Sequence, residues 1–152
     1  MNGGCHCDNI LVEIELPRPP DTYTPRACDC EFCSKHGASY VSDPKGSLVV
    51  RIRDASEIRM YRQGSGQAEF LLCSNCGVLV GVFYRTEGKL YGTVNAKVVG
   101  TEFGAARPAS PKQLSDRDKV QRWQELWFPN VGFLNIDASD TIEEHSRSSR
   151  DR

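Results

Sequence analysis

Hydrophobic positions along this chain recur at the period of a strand far more often than at that of a helix. Residues 9–16 set charged against β-branched or aliphatic side chains, the alternation of a half-buried strand, and Pro17, Pro19 and Pro20 then stop it. The stretch up to Arg26 reads as a proline-broken loop. A tight turn at Asp43-Pro44-Lys45-Gly46 introduces strands at residues 47–53 and 57–62. A second turn, Gln63-Gly64-Ser65-Gly66-Gln67, leads into a strand at 68–72. Residues 78–84 are nearly all apolar, which predicts a strand covered on both faces, with residues 89–94 as its hairpin partner across Thr86-Glu87-Gly88. Residues 34–38 read as loop or a short turn. The middle of the protein is therefore expected to be mostly antiparallel sheet.

Only the last third changes period. A Gly-, Ala- and Pro-rich link from Gly100 to Pro111 leads to Ser115-Asp116-Arg117-Asp118, an N-cap followed by acid in the first turn. Val120, Trp123, Leu126 and Trp127 then recur at helical spacing and end before Pro129, so a helix is expected near 115–128. Its tryptophans are read as packing against the sheet, with a ligand platform as the alternative. From about Ser139 to Arg152 charge and serine mix without an apolar stripe, as in a polar tail. The expected division is a β domain at 1–100 and an extension at 101–152 whose helix packs on the same domain.

Length and charge narrow the function classes. At 152 residues the chain suits one domain, and a net charge of -1 recruits neither nucleic acid nor an anionic membrane. No apolar run is long enough to cross a bilayer, and Met1-Asn2-Gly3-Gly4-Cys5 lacks the basic and apolar regions of a signal peptide. A cytoplasmic protein acting on a small molecule is expected, as a monomer or a homodimer joined at sheet edges.

The cysteines carry the chemistry. All 7 fall into three knots: Cys5-His6-Cys7, Cys28-Asp29-Cys30-Glu31-Phe32-Cys33, and Cys73-Ser74-Asn75-Cys76. Reducing compartments disfavour disulfides, and an odd number of thiols does not pair off within one chain, so a metal-ligand pattern is the leading reading. Zinc in a structural role takes four ligands in a tetrahedron. The outer pairs, Cys5, Cys7, Cys73 and Cys76, would complete such a site. The central triple, Cys28, Cys30 and Cys33, supplies three thiolates and leaves a fourth position for water, a substrate oxygen or an incoming thiol, the arrangement of a catalytic metal. His36 or His6 would close it into a second structural site; a metal-free redox triple is a third option.

The order C-x-C, C-x-C-x-x-C, C-x-x-C-G, with strands between, resembles the glutathione-dependent formaldehyde-activating enzyme family, also called the CENP-V/GFA domain family. Gly4-Cys5-His6-Cys7, the central knot, and Phe70-Leu71-Leu72-Cys73-Ser74-Asn75-Cys76-Gly77 carry the resemblance, over about residues 3–95. It implies a mainly β, Mss-four-like fold of small antiparallel sheets. It also implies two zinc ions, one structural on the outer pairs and one exchangeable on the triple, and a carbon-sulfur lyase that joins formaldehyde to glutathione. Glutathione's carboxylates would want Arg or Lys near the site, and Arg26, Lys35, Arg51 and Arg53 are the candidates. One departure is Asn95, where family members often carry an acid. Two functions follow from different classes: an enzyme acting on a small carbonyl compound or its thiol conjugate, with Cys30 as the thiol most able to leave the metal, or a non-catalytic zinc module that binds another protein.

Overall fold

A computed structural model describes residues 1–136, and the polar tail from Ser139 lies outside them. The strands are β1 (Asn2–Gly4), β2 (Ile10–Glu15), β3 (Arg26–Cys28), β4 (Tyr40–Val41), β5 (Ser47–Ile52), β6 (Ile58–Tyr61), β7 (Glu69–Cys73), β8 (Leu79–Thr86), β9 (Lys89–Asn95), β10 (Arg107–Ala109) and β11 (Gly132–Asn135). Helix α1 (Glu31–His36) follows β3, and α2 (Asp116–Leu126) precedes β11. The strands form a four-stranded sheet in the order β1-β2-β5-β11 and a seven-stranded sheet in the order β10-β3-β4-β9-β8-β7-β6. The fold is mainly β, with antiparallel sheets and a helix towards the C-terminal end, as the alternation implies.

The register explains why the alternating segments lie as they do. Ile10, Val12 and Ile14 of β2 pair directly with Ile52, Val50 and Leu48 of β5, so every inward residue of one strand meets an inward residue of the other. This face joins Leu71, Val80, Phe83 and Val94 of the larger sheet in one apolar cluster. A second cluster joins Phe70, Leu79, Val82 and Tyr91 of the larger sheet to Cys33 of α1 and to Trp123 and Trp127. The larger sheet is thus covered on both faces, and residues 79–83 are all buried for that reason.

Three local structures depart from the sequence expectations. Residues 34–36 are not loop but the second half of α1. Its N-cap is a thiol, Cys30, whose Sγ accepts from the Cys33 N–H at 3.4 Å, and Gly37 ends it in the left-handed region at φ 58°. The link at 100–111 contains β10, an edge strand whose proline costs it no ladder bond on its free side and which runs parallel to β3. Likewise β11 runs parallel to β5, so each sheet carries one C-terminal strand with the reversed sense.

Helix α2 lies where its spacing puts it. Ser115 Oγ accepts from the Asp118 N–H at 3.1 Å, and Asp116 and Asp118 sit in the positive first turn. Trp123 and Trp127 are buried and stacked at 5.2 Å, with Tyr84 of the sheet 5.4 Å from Trp123. The turn after the helix is clamped at Phe128, which is fully buried. Its N–H donates to Gly92 O at 2.8 Å and its carbonyl accepts from the Gly92 N–H at 3.0 Å. Gly92 also makes room for the Phe83 ring, since a Cβ there would fall 2.8 Å from it. Phe128→Ala should lower the unfolding free energy by about 3–5 kcal/mol, as for other fully buried aromatic truncations; chemical denaturation followed by circular dichroism checks it.

Candidate functional site

The outer cysteine pairs meet at the tips of two hairpins. Cys5 and Cys7 lie in the turn after β1, where Asp8 adopts φ 62° and the Ile10 N–H donates to Cys5 Sγ at 3.3 Å. Cys73 ends β7, and the turn to β8 places the Cys76 N–H 3.5 Å from Cys73 Sγ, with Gly77 at φ 79°. Each knot thus bends so that backbone N–H groups point at sulfur, which stabilises thiolate. The four sulfurs lie within 4.8 Å of one another, with Cys5 to Cys7 at 3.7 Å and Cys7 to Cys73 at 3.5 Å. A tetrahedron with zinc–sulfur bonds of about 2.3 Å has sulfur–sulfur edges of about 3.8 Å, so the spacing fits that ion.

Electrostatics point the same way. Burial pushes the Cys5 and Cys73 thiols up. Burial also opposes ionisation of Cys7, but hydrogen bonds from Asn75, the Asn9 N–H and the neighbouring thiols outweigh it and bring Cys7 down to about 7. Negative charge accumulates on all four sulfurs only if a cation sits among them. All seven cysteines are free thiols, available for that role.

The central triple is assembled by β3 and α1: Cys28 ends the strand, Cys30 caps the helix and Cys33 lies in its first turn. The three sulfurs lie within 4.8 Å of one another. Buried Tyr40 places its hydroxyl 3.1 Å from Cys33 Sγ, and the Gln63 amide donates to Cys30 Sγ at 3.8 Å. A hydrogen bond from the Cys33 thiol is the main cause that brings Cys28 down to about 6, and the same contact, with burial, pushes Cys33 up. Neither His6 nor His36 joins either sulfur group. His36 is exposed, with its ring 4.7 Å from that of Phe32. Among the described residues the triple therefore has three soft donors and no fourth, a set suited to zinc with one position left for another ligand.

These sulfurs open on a cavity of about 150 Å³. Arg26 and Thr93 line it from the sheet, Gln63, Gly64 and Ser65 from the β6–β7 turn, and Lys119, Arg122, Trp123 and Trp127 from α2 and its end. Arg26 Nη2 donates to Ser42 Oγ at 2.6 Å and to Thr93 Oγ1 at 3.3 Å; Ser42 Oγ in turn donates to Leu126 O at 2.7 Å, tying the end of α2 to the sheet. Burial, followed by repulsion from Arg122, brings Arg26 down to about 10, and burial lowers Arg122 as well. Both stay cationic at neutral pH. Lys112 pairs with Asp29 at 3.8 Å, and Asp29 also accepts from Ser110 Oγ.

Of the four basic residues the sequence suggests for a carboxylate, only Arg26 lines the cavity. Lys35 pairs with Glu31 at 3.5 Å on the exposed face of α1, Arg53 Nε donates to Asp8 O at 2.9 Å, and Arg51 lies in the other sheet. Arg122 and Lys119 take the place of these three. They are invisible to a reading of local spacing, because α2 reaches the thiols only through the tertiary fold. The tryptophans pack on the sheet, as their spacing implies, and also line the cavity. Asn95 is buried structure: its amide donates to Leu79 O at 3.0 Å and its Oδ1 accepts from the Lys97 N–H at 3.2 Å.

Comparison with known proteins places this geometry in context. A crystal structure of a Rhodobacter sphaeroides protein, solved as a structural-genomics target, superposes with a TM-score of 0.50 at 24% identity, over 78% of this chain and 94% of that one. That likeness bears on the fold alone. None of the curated proteins matches the chain. The model of the family described as "Glutathione-dependent formaldehyde-activating enzyme" matches residues 1–112, past the end of the resemblance read from the sequence and through all three cysteine knots. The chain belongs to the glutathione-dependent formaldehyde-activating enzyme family.

Proposed function

We propose that this protein is a zinc-dependent enzyme that adds a thiol across a small carbonyl, or reverses that addition, at Cys28, Cys30 and Cys33. The observation that carries the reading is three convergent sulfurs, with no fourth protein ligand among the described residues, at the wall of a cavity. Glutathione and formaldehyde, the compounds in the family's name, are the first candidate substrates. In the forward direction the substrate sulfur bonds to the carbonyl carbon, the π pair moves to oxygen, and the proton lost by the thiol ends on that oxygen. The products are one carbon–sulfur bond and one hydroxyl, with no net oxidation. This is the chemistry of a carbon-sulfur lyase working in its bond-forming sense.

A zinc ion on the three thiolates would supply a soft acid that favours the thiolate form of a substrate sulfur at neutral pH. The chain's own groups do the rest. Arg26 and Arg122 put positive potential over the sulfurs and favour anionic sulfur in the cavity. The Tyr40 hydroxyl and the Gln63 amide hold Cys33 and Cys30 in place by hydrogen bonds, and Trp123 and Trp127 narrow the access of water. The outer set, Cys5, Cys7, Cys73 and Cys76, takes a second, structural zinc that ties the β1–β2 turn to the β7–β8 turn. Residues 1–100 then form the zinc-binding β domain, and 101–152 the extension, whose residues between 109 and 127 wall the cavity. Free thiols in this number suit a reducing compartment such as the cytoplasm.

Two sets of variants test the reading. Cys30→Ser keeps a good N-cap on α1 while removing one thiolate of the triple. It should leave the circular dichroism spectrum unchanged and cut formation of S-hydroxymethylglutathione by about 100-fold or more, equivalent to roughly 3 kcal/mol. Full activity in this variant would sink the proposed site. Structural zinc contributes on the order of 10 kcal/mol to folding in small zinc peptides. Cys73→Ser should accordingly be poorly soluble or unfolded, whereas Cys28→Ser should stay folded and carry one zinc per chain by native mass spectrometry. The opposite order of damage would exchange the two roles.

A further inference from the structure

The cavity holds more positive charge than its thiols require. Arg26 meets only the hydroxyls of Ser42 and Thr93, and the Arg122 guanidinium makes no hydrogen bond or ion pair among the described residues. Asp29, between Cys28 and Cys30 in sequence, turns its Oδ2 to Lys112 and Ser110 and is not among the lining residues. Three thiolates around a divalent cation carry a net charge of about -1, so two guanidiniums leave about one positive charge over. Partly desolvated guanidiniums that line one cavity and repel each other, with most of their N–H donors unpaired among the described residues, are costly unless an anion joins them. A carboxylate matches the guanidinium fork.

Proximity limits what carries that carboxylate. Arg26 and Arg122 line the same cavity as Cys28, Cys30 and Cys33, so a carboxylate held by the two guanidiniums lies beside the sulfurs. The anionic group is therefore placed within a few bonds of the reacting atom. Arg122, Trp123 and Trp127 all lie beyond residue 112, where the family match ends, so the family's shared pattern does not specify this wall.

We propose that Arg26 and Arg122 form a carboxylate-binding subsite beside Cys28, Cys30 and Cys33, and that the substrate bears a carboxylate within a few bonds of its reacting sulfur or carbonyl carbon. The proposal rests on the three thiols being the reacting centre. Arg26, fixed by two hydroxyls, is the preset half of the clamp. Arg122, on a helix that no other described residue ties through this side chain, sets the specificity.

The chain's 2 tryptophans both line the cavity, so intrinsic fluorescence reports its occupancy without any turnover. Full-length, zinc-loaded protein would be titrated with two matched pairs: glyoxylate against acetaldehyde, and thioglycolate against 2-mercaptoethanol. At least one charged probe should bind about tenfold or more tighter than its neutral partner. Arg122→Gln should remove that preference, and Arg122→Lys should keep part of it. A preference confined to glyoxylate puts the carboxylate on the carbonyl substrate, and one confined to thioglycolate puts it on the thiol; either supports the subsite. Equal binding within both pairs, or a preference that survives in folded Arg122→Gln, overturns it. Turnover of formaldehyde with glutathione is scored separately on the same samples. Charge-blind binding with turnover removes the subsite alone, and charge-selective binding with no turnover of any pair removes the reaction alone.

Discussion

Mutual repulsion among sulfurs that a fold has brought within 4.8 Å is the constraint on which this molecule turns. Cys5 and Cys73 are sixty-eight positions apart in the chain, yet backbone N–H groups in both turns are aimed at the sulfurs and favour their ionised form. Thiols packed this closely lose protons together only around a cation. Cys5 and Cys73 are buried in the main apolar cluster, with Cys7 and Cys76 packed against it, so the tips meet at the edge of the core. An ion among the four sulfurs would tie the two turns together.

The two sulfur groups share one chemistry and differ in what surrounds them. The outer group has four donors and closes on itself. The inner group has three donors, a buried tyrosine hydroxyl on one and an amide on another, and a basic cavity in front. That difference in surroundings comes from β3, α1 and α2 more than from the cysteines themselves. Burial on both faces of the larger sheet makes the floor of the cavity rigid, so the thiols and Arg26 present a preset arrangement to whatever enters.

Local order made part of this legible in the sequence. Cysteine spacing brought out the three knots because each is a short-range object, and in the fold the sulfurs of the two outer knots lie together while the central three form their own group. Alternation located β2, whose inward side chains meet inward partners on β5, and an unbroken apolar run located β8, which is covered on both faces. The rest depended on distance along the chain. Helix α1 was hidden because its cap is a thiol instead of one of the usual oxygen side chains, and because six residues are too few to show a period. β10 was hidden because an edge strand with a proline has neither alternation nor apolar weight. Of the basic residues, Arg26 stood out by its nearness to Cys28 in sequence, whereas Arg122 reaches the same cavity from ninety-four positions away and left no local trace.

This last separation orders the molecule functionally. Residues within the family match supply the thiols and one arginine of the cavity. Residues after it supply the second arginine and both tryptophans. The extension is not an appendage, because β10 and β11 each complete a sheet and Phe128 is clamped to Gly92 beneath the helix. Its stability and its position over the thiols are therefore one property: the same burial that anchors Trp123 and Trp127 fixes Arg122 at the cavity wall. A fold that hosts many chemistries can change its substrate by changing such a wall while its metal ligands stay as they are. Here the wall is built from side chains that also belong to the core, so a change of specificity must be made without loosening the packing that holds α2 down.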